Sequence, residues 1–491
     1  MSPQPRSLDL RQPGALLLVS CYELGHQPLG IAWPRAFLER AGYTPEVLDL
    51  AVDPFDETKV RHARFVGIAV PMHTALRLGV RAAERIRRQN PDCFVCFYGL
   101  YALLNADYLL AHVADAVIGG EFEGRLVALV EQLTRDGTQG VVDAEQPPAA
   151  ALDRLTYPVP DRRALPNLQR YVHLARGDGT KTPAGYVEAS RGCLHHCLHC
   201  PIPPVYGGRF FAVPREVVLE DIRRVVAAGA GHITFGDPDF LNGPGHALKL
   251  ARALHAEFPA VTYDFTAKIE HILKHQTLFP EFGALGCVFV VSAVESLRDV
   301  VLASLEKGHT GADVPVALDI VRRAGIALRP SFVAFTPWTT LEDYQHLLDF
   351  VETQDWIHEV DPVQYAIRLL VPPGSSLVPQ PSMRPHLRSL DPATFTYMWT
   401  HPDARMDRLQ LEVRHLVEMA AREGKDPEVT FGRIRAAAIA AADAAAPQAR
   451  ITAPSRPLST PSPRLTESWF CCAEPTETQL GVVDDDTGRR V

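Results

Sequence analysis

Arg191-Gly192-Cys193-Leu194-His195-His196-Cys197-Leu198-His199-Cys200 sets three cysteines in the spacing C-x3-C-x2-C, directly behind the apolar run Gly185-Tyr186-Val187-Glu188-Ala189-Ser190. The run reads as a strand, so the thiols stand on a loop at a strand's carboxyl end. Three thiolates can hold three irons of a [4Fe–4S] cluster, because soft sulfur ligands suit iron–sulfur chemistry. The remaining iron is then open to a substrate or cofactor. A zinc site and incidental buried thiols are the alternatives. Structural zinc takes four ligands, usually as two separated pairs, and no second pair lies nearby.

Outward from this loop the chain alternates strand and helix. Strands are expected at 185–190, 231–235, 261–266, 287–293, 329–334 and 363–370, with helices at 215–228, 247–257, 297–305, 314–324 and 341–353. Repeats of this kind close best as a partial parallel (β/α)6 barrel, here over 184–380. In parallel barrels the chemistry sits on loops at the carboxyl ends of strands. The cysteines occupy one such loop, and Gly236-Asp237 and Glu295 fall at two others.

A second alternating series precedes the barrel. Strands at 15–20, 44–50, 65–70, 93–98 and 116–118, with helices at 34–41, 75–88 and 126–134, imply an open Rossmann-like parallel sheet within 1–140. Residues 141–183 read as a linker, 381–446 as a helical accessory region, and 447–491 as a flexible tail. The fold class is α/β.

Together these features resemble the radical S-adenosylmethionine (SAM) superfamily. The resemblance implies that Cys193, Cys197 and Cys200 hold the cluster and that its open iron takes the amino and carboxylate groups of SAM. One-electron reduction then cleaves a carbon–sulfur bond. Phe235-Gly236-Asp237 is similar to the turn whose backbone contacts the SAM amino group. Ser292 and Glu295, in S-x-x-E-S, resemble the ribose-contacting positions, and Lys307-Gly308-His309-Thr310 follows in familiar spacing. The N-terminal sheet resembles the cobalamin-binding domain found ahead of many such barrels. The usual D-x-H-x-x-G loop is absent; Cys21-Tyr22-Glu23-Leu24-Gly25-His26 stands in its place. A degenerate cap, cobalamin held without a protein histidine, and His26 or His73 on cobalt all remain open.

The 491 residues suffice for two or three domains, and 46% hydrophobic content allows a sizeable core. A net charge of −9 gives no electrostatic reason to expect nucleic acid. Nine cysteines, odd in number and unevenly spaced, argue for thiols in a reducing compartment. No apolar run is long enough to span a bilayer, and a cytoplasmic enzyme is expected.

The tail carries Ser468-Trp469-Phe470-Cys471-Cys472-Ala473-Glu474-Pro475 behind a proline- and serine-rich tether. Adjacent thiols suit As(III), Cu(I) or zinc, or form a redox-labile disulfide. This ending resembles the CUAEP/CCAEP-tail radical SAM (seleno)proteins. That likeness implies transfer of the 3-amino-3-carboxypropyl group of SAM to As(III) held by Cys471 and Cys472, in organoarsenical biosynthesis. The implied partners are a small-molecule substrate such as arsenite and an electron donor such as flavodoxin or ferredoxin. Cobalamin-dependent methylation, a 5′-deoxyadenosyl-radical reaction on another substrate, and a non-catalytic iron–sulfur or thiol sensor are the alternatives.

Overall fold

The computed structural model describes residues 8–137, 150–442, 462–467 and 479. Near the N-terminus, β1 (Leu16–Ser20), β2 (Glu46–Asp49), β3 (Phe65–Ala69), β4 (Phe94–Tyr98) and β5 (Ala116–Ile118) form one sheet in the order β2-β1-β3-β4-β5. Every pairing in it is parallel. Its strands are apolar on both faces because helices cover both. Leu16 and Leu18 share a core with Trp33 and Phe37 of the helix Leu29–Arg40. Leu17 and Val19 point the other way, into a core with Ala75 and Val80 of the helix His73–Gln89. Each buried leucine contributes about 1.5–3 kcal/mol.

The second sheet is built on β7 (Lys181–Val187), β10 (His232–Phe235), β11 (Thr262–Thr266), β12 (Cys287–Glu295) and β13 (Ala327–Phe332), all parallel. Between β7 and β10 comes a small hairpin of β8 (Ser190–Gly192) and β9 (Phe210–Ala212). β6 (His173–Ala175) pairs antiparallel with β7. β14 (Leu387–Asp391) and β15 (Thr396–Trp399) form another hairpin, and β16 (Arg464–Leu465) pairs antiparallel with β6. The sheet therefore reads β13-β12-β11-β10-β7-β6-β16, a curled parallel-rich α/β barrel.

Four expectations need correction. The sixth barrel strand, expected at 363–370, is a 3-10 turn Pro362–Tyr365 and one parallel rung at Phe335↔Arg368. A side chain takes the place of backbone pairing there, since Phe332 N–H donates to Gln364 Oε1 at 3.0 Å. The stretch read as linker contains β6 and the start of β7, joined by a turn in which the Asp178 carboxylate accepts from Thr180 N and Oγ1. The accessory region holds the β14–β15 hairpin before its helices Ala404–Glu423 and Pro427–Ala442. In the tail, β16 is docked rather than free, and Cys471 and Cys472 lie outside the described residues. Among the described residues no helix is long and apolar enough to cross a membrane.

Candidate functional site

The cysteine loop is carried by the β8–β9 hairpin, whose register pairs Arg191 with Phe211 and Gly192 with Phe210. Gly192 has φ +71° and a Cβ there would sit 2.3 Å from Arg209 O, so only glycine makes this turn. Cys193 and Cys197 are buried and Cys200 is half-buried, all as free thiols. Asn242 Nδ2 donates to Cys193 Sγ at 3.6 Å, Cys200 N–H donates to Cys197 O at 3.1 Å, and Leu198 N–H donates to Leu305 O at 3.0 Å. The loop is thus tied to its neighbours through its backbone and through the Asn242 contact to Cys193. Burial raises the Cys193 thiol and pushes Cys200 up to about 12. Iron must displace those protons on binding. The Lys307 ammonium, close enough to Cys197 and Cys200 to feel their charge, offsets negative charge at the site. Three soft donors on one loop beside a buried cation fit a three-ligand iron–sulfur cluster.

Glu295 ends β12 at a register shift, with φ +62° in a region that non-glycine residues seldom enter. Its Oε1 accepts from Lys307 Nζ at 3.1 Å and from His199 Nε2, on the cysteine loop, at 3.2 Å. Burial works to raise its pKa, but Lys307 and His199 outweigh it and hold the carboxyl down at about 2. Glu295 therefore stays ionised and joins the segment after the fourth barrel strand to the thiol loop.

Ser292 and Asp237, also expected at the SAM site, sit in different surroundings. Ser292 pairs with Pro330, on the face it shares with Val290 and Leu328. That face packs in the apolar core. The register then shifts between Ala293 and Glu295, and Glu295 pairs with Phe332, two residues beyond Pro330. The buried Ser292 Oγ has no hydrogen-bond partner among the described residues. Asp237 spends its carboxylate on the loop, with Oδ2 accepting from Ala189 N at 3.0 Å and Oδ1 from Ser190 Oγ. Burial pushes it up to about 7. Gly236 is backed so tightly by the Tyr186 ring that a Cβ would meet it at 2.3 Å.

Sequence reasoning gave Arg191 no role. It is buried over the rings of Trp33 and Tyr157 at 5.3 and 5.4 Å. Its guanidinium reaches Glu123 at 2.7 Å and Glu188 at 3.0 Å. This arginine ties the residue before the cysteine turn to the N-terminal sheet.

The loops at the carboxyl edge of the N-terminal sheet are similarly engaged. Glu23 accepts from Leu29 N and Gly30 N at 3.0 and 2.9 Å, and His26 stacks on Tyr186 at 4.5 Å. His73 is fully buried beside Tyr101. Glu121, of Gly119-Gly120-Glu121, accepts from the Tyr157 and Tyr206 hydroxyls. His26 and His73 are thus both packed against neighbouring rings, and neither is presented as a cobalt ligand.

Residues 187–351 match the family described as the radical SAM superfamily. The hopanoid C-3 methylase of Methylococcus capsulatus is 26% identical over 325 residues, 64% of this chain. The chain spans only 62% of that relative's own length. The bacteriochlorophyllide d C-8(2)-methyltransferase of Chlorobaculum tepidum is 24% identical over 55% of this chain and 59% of its own. Among solved structures, TsrM from Kitasatospora setae, with tryptophan and a SAM analogue bound, superposes with TM-score 0.58 at 20% identity, covering 69% of this chain and 71% of that one. OxsB, described as a cobalamin-dependent SAM radical enzyme, gives TM-score 0.67 at 14% identity over 86% of this chain and 71% of its own. At those identities the likeness is one of fold.

Proposed function

We propose that this chain, an enzyme built on a radical SAM domain, cleaves SAM and transfers a SAM-derived carbon group to a small-molecule acceptor. The observation that carries the reading is the buried thiol loop of Cys193, Cys197 and Cys200, held at the barrel's carboxyl end beside Lys307 and the Glu295–His199 contact. The cluster those thiols would hold supplies the electron that breaks the carbon–sulfur bond. Lys307 counters the charge of the thiolates, Glu295 fixes His199 and with it the loop, and Asp237 holds Ala189 and Ser190 behind the first cysteine. Gly236 and Asp237, through the backbone of their turn, and Ser292 and Glu295, at the ribose, are the proposed SAM contacts.

In its finest form the transferred group is 3-amino-3-carboxypropyl and the acceptor is As(III) on Cys471 and Cys472. The direction of the docked strand supports this. β16 runs antiparallel to β6 and β6 antiparallel to β7, so β16 runs in the same sense as β7, toward the end that bears the thiol loop. From Glu467 to Cys471 is four residues, a reach of at most about 14 Å. The second reading is methyl transfer with cobalamin as carrier, favoured by the methylase and methyltransferase relatives. The packing of His26 and His73 means that such a corrin would lack a histidine from those loops.

The test is anaerobic turnover of cluster-reconstituted protein with SAM and a strong reductant, with and without arsenite, read by mass spectrometry. Methylthioadenosine with an arsenic–carbon product supports the first reading. Co-purified corrin with a methylated product supports the second. No SAM cleavage at full cluster occupancy overturns both. Cys471→Ser with Cys472→Ser should abolish the arsenic product while SAM cleavage persists. Cys197→Ser should abolish cleavage itself.

A further inference from the structure

A second set of metal-ligand side chains lies beside the thiol loop. His195 sits between Cys193 and Cys197, Asp239 follows β10, and His271 lies on the helix Ile269–Lys274 that follows β11. One donor atom of each comes within 4.8 Å of the other two. Asp239 Oδ2 is 3.7 Å from His195 Nε2 and 2.8 Å from His271 Nδ1. Ligands around a tetrahedral zinc at ordinary bond lengths stand about 3.3 Å apart, and the two separations straddle that value. Asp239 and His271 are more than nine-tenths buried.

The hydrogen bonding separates a metal site from an ordinary ion-pair cluster. Neither His195 Nε2 nor His271 Nδ1 has a hydrogen-bond partner among the described residues. His271 Nδ1 is close to the carboxylate oxygen yet out of line for a hydrogen bond with it. Two buried imidazole nitrogens within ion-pair distance of one carboxylate oxygen, with no hydrogen bond to it, form an arrangement that a shared cation would satisfy. The surroundings fit as well. His195 Nδ1 faces Glu270 Oε2 at 3.6 Å, the outer carboxylate that commonly orients a metal-bound imidazole. Glu270 also pairs with Lys268 Nζ at 3.3 Å, and backbone donors hold the Asp239 carboxylate in place, Oδ1 accepting from Leu241 N at 2.9 Å and Oδ2 from Lys268 N at 3.3 Å.

We propose that His195, Asp239 and His271 bind a divalent transition-metal cation, distinct from the ion cluster of the three thiols. Two imidazoles and one carboxylate are the donor set of catalytic zinc and non-haem iron sites. Three protein ligands leave a coordination position open, so an oxygen or nitrogen of a bound small molecule can complete the shell. Such a cation would give the barrel mouth an anchor for an oxygen-rich acceptor. The site itself stands on geometry and does not depend on the radical reading.

The test uses the full chain with its cluster reconstituted anaerobically. Zinc is added, excess removed with a weak chelator, and zinc, iron and sulfide are counted per chain by mass spectrometry and colorimetry. One zinc per chain in the wild type is expected, lost in His271→Ala and in His271→Gln while iron and sulfide hold. Glu270→Gln should weaken zinc roughly 10- to 100-fold. A wild type that retains no zinc overturns the proposal. So does zinc that survives both His271 substitutions, or zinc that leaves only together with the cluster iron.

Discussion

Glu295 and Asp237 are both buried carboxylates at strand ends, and their surroundings push them in opposite directions. Glu295 falls from 4.5 to about 2 because Lys307 and His199 overcome its burial. Its contribution to stability is present above the unfolded value and lost as pH falls from about 4.5 toward 2, on the order of 3 kcal/mol. Asp237 rises from 3.8 to about 7, chiefly by burial. Its contribution has the opposite sign, present below the unfolded value and lost as pH climbs through 7. Urea unfolding of the apo-protein across this range should show Glu295→Gln flattening the acid limb and Asp237→Asn flattening the neutral one. An unchanged wild-type profile in either variant would contradict the assignment. Both residues were legible in the sequence as acids at strand ends. Their partners were not, because His199 and Lys307 meet Glu295 only through packing of distant turns.

The cysteine loop depends on one hairpin and one glycine. An alanine at Gly192 would enter the left-handed region and strike Arg209 O, costing more than about 2 kcal/mol. Gly192→Ala should lower apo-protein stability by that order in urea and reduce iron bound per chain after reconstitution. At this scale the sequence was most readable where apolar runs are long and bounded. The helix Leu341–Thr353 and the strand Ala116–Ile118 have the limits expected of them. Short edge strands were less visible. β6 and the start of β7 hide in a polar stretch containing Pro183, where the Asp178-Gly179 turn was the available clue. The sixth barrel strand failed for the reverse cause, an apolar run whose pairing is replaced by the Gln364 side chain.

Across the whole molecule, the two sheets are joined through Arg191. Its removal would strand Glu123, which burial already pushes up to about 7 despite the guanidinium beside it. Breaking one side of a buried ion pair costs about 3–5 kcal/mol. Arg191→Leu should therefore destabilise the chain by that order and lower cluster occupancy, although the residue is not itself a metal ligand. Retained stability would mean that water solvates the stranded acids. Such long-range contacts were out of reach from the sequence, since nothing local distinguishes Arg191 from a surface arginine.

β16 has a further consequence, in the order of synthesis. Leu465 pairs with Leu174, and Arg464 with Ala175, so the partner of β6 is made almost 300 residues after it. At about 5–20 residues per second, the ribosome needs roughly 15–60 s to cover that distance. For that interval a nascent chain carries an uncovered strand edge, the kind of surface that recruits other strands. The last strand among the described residues is the one that closes it.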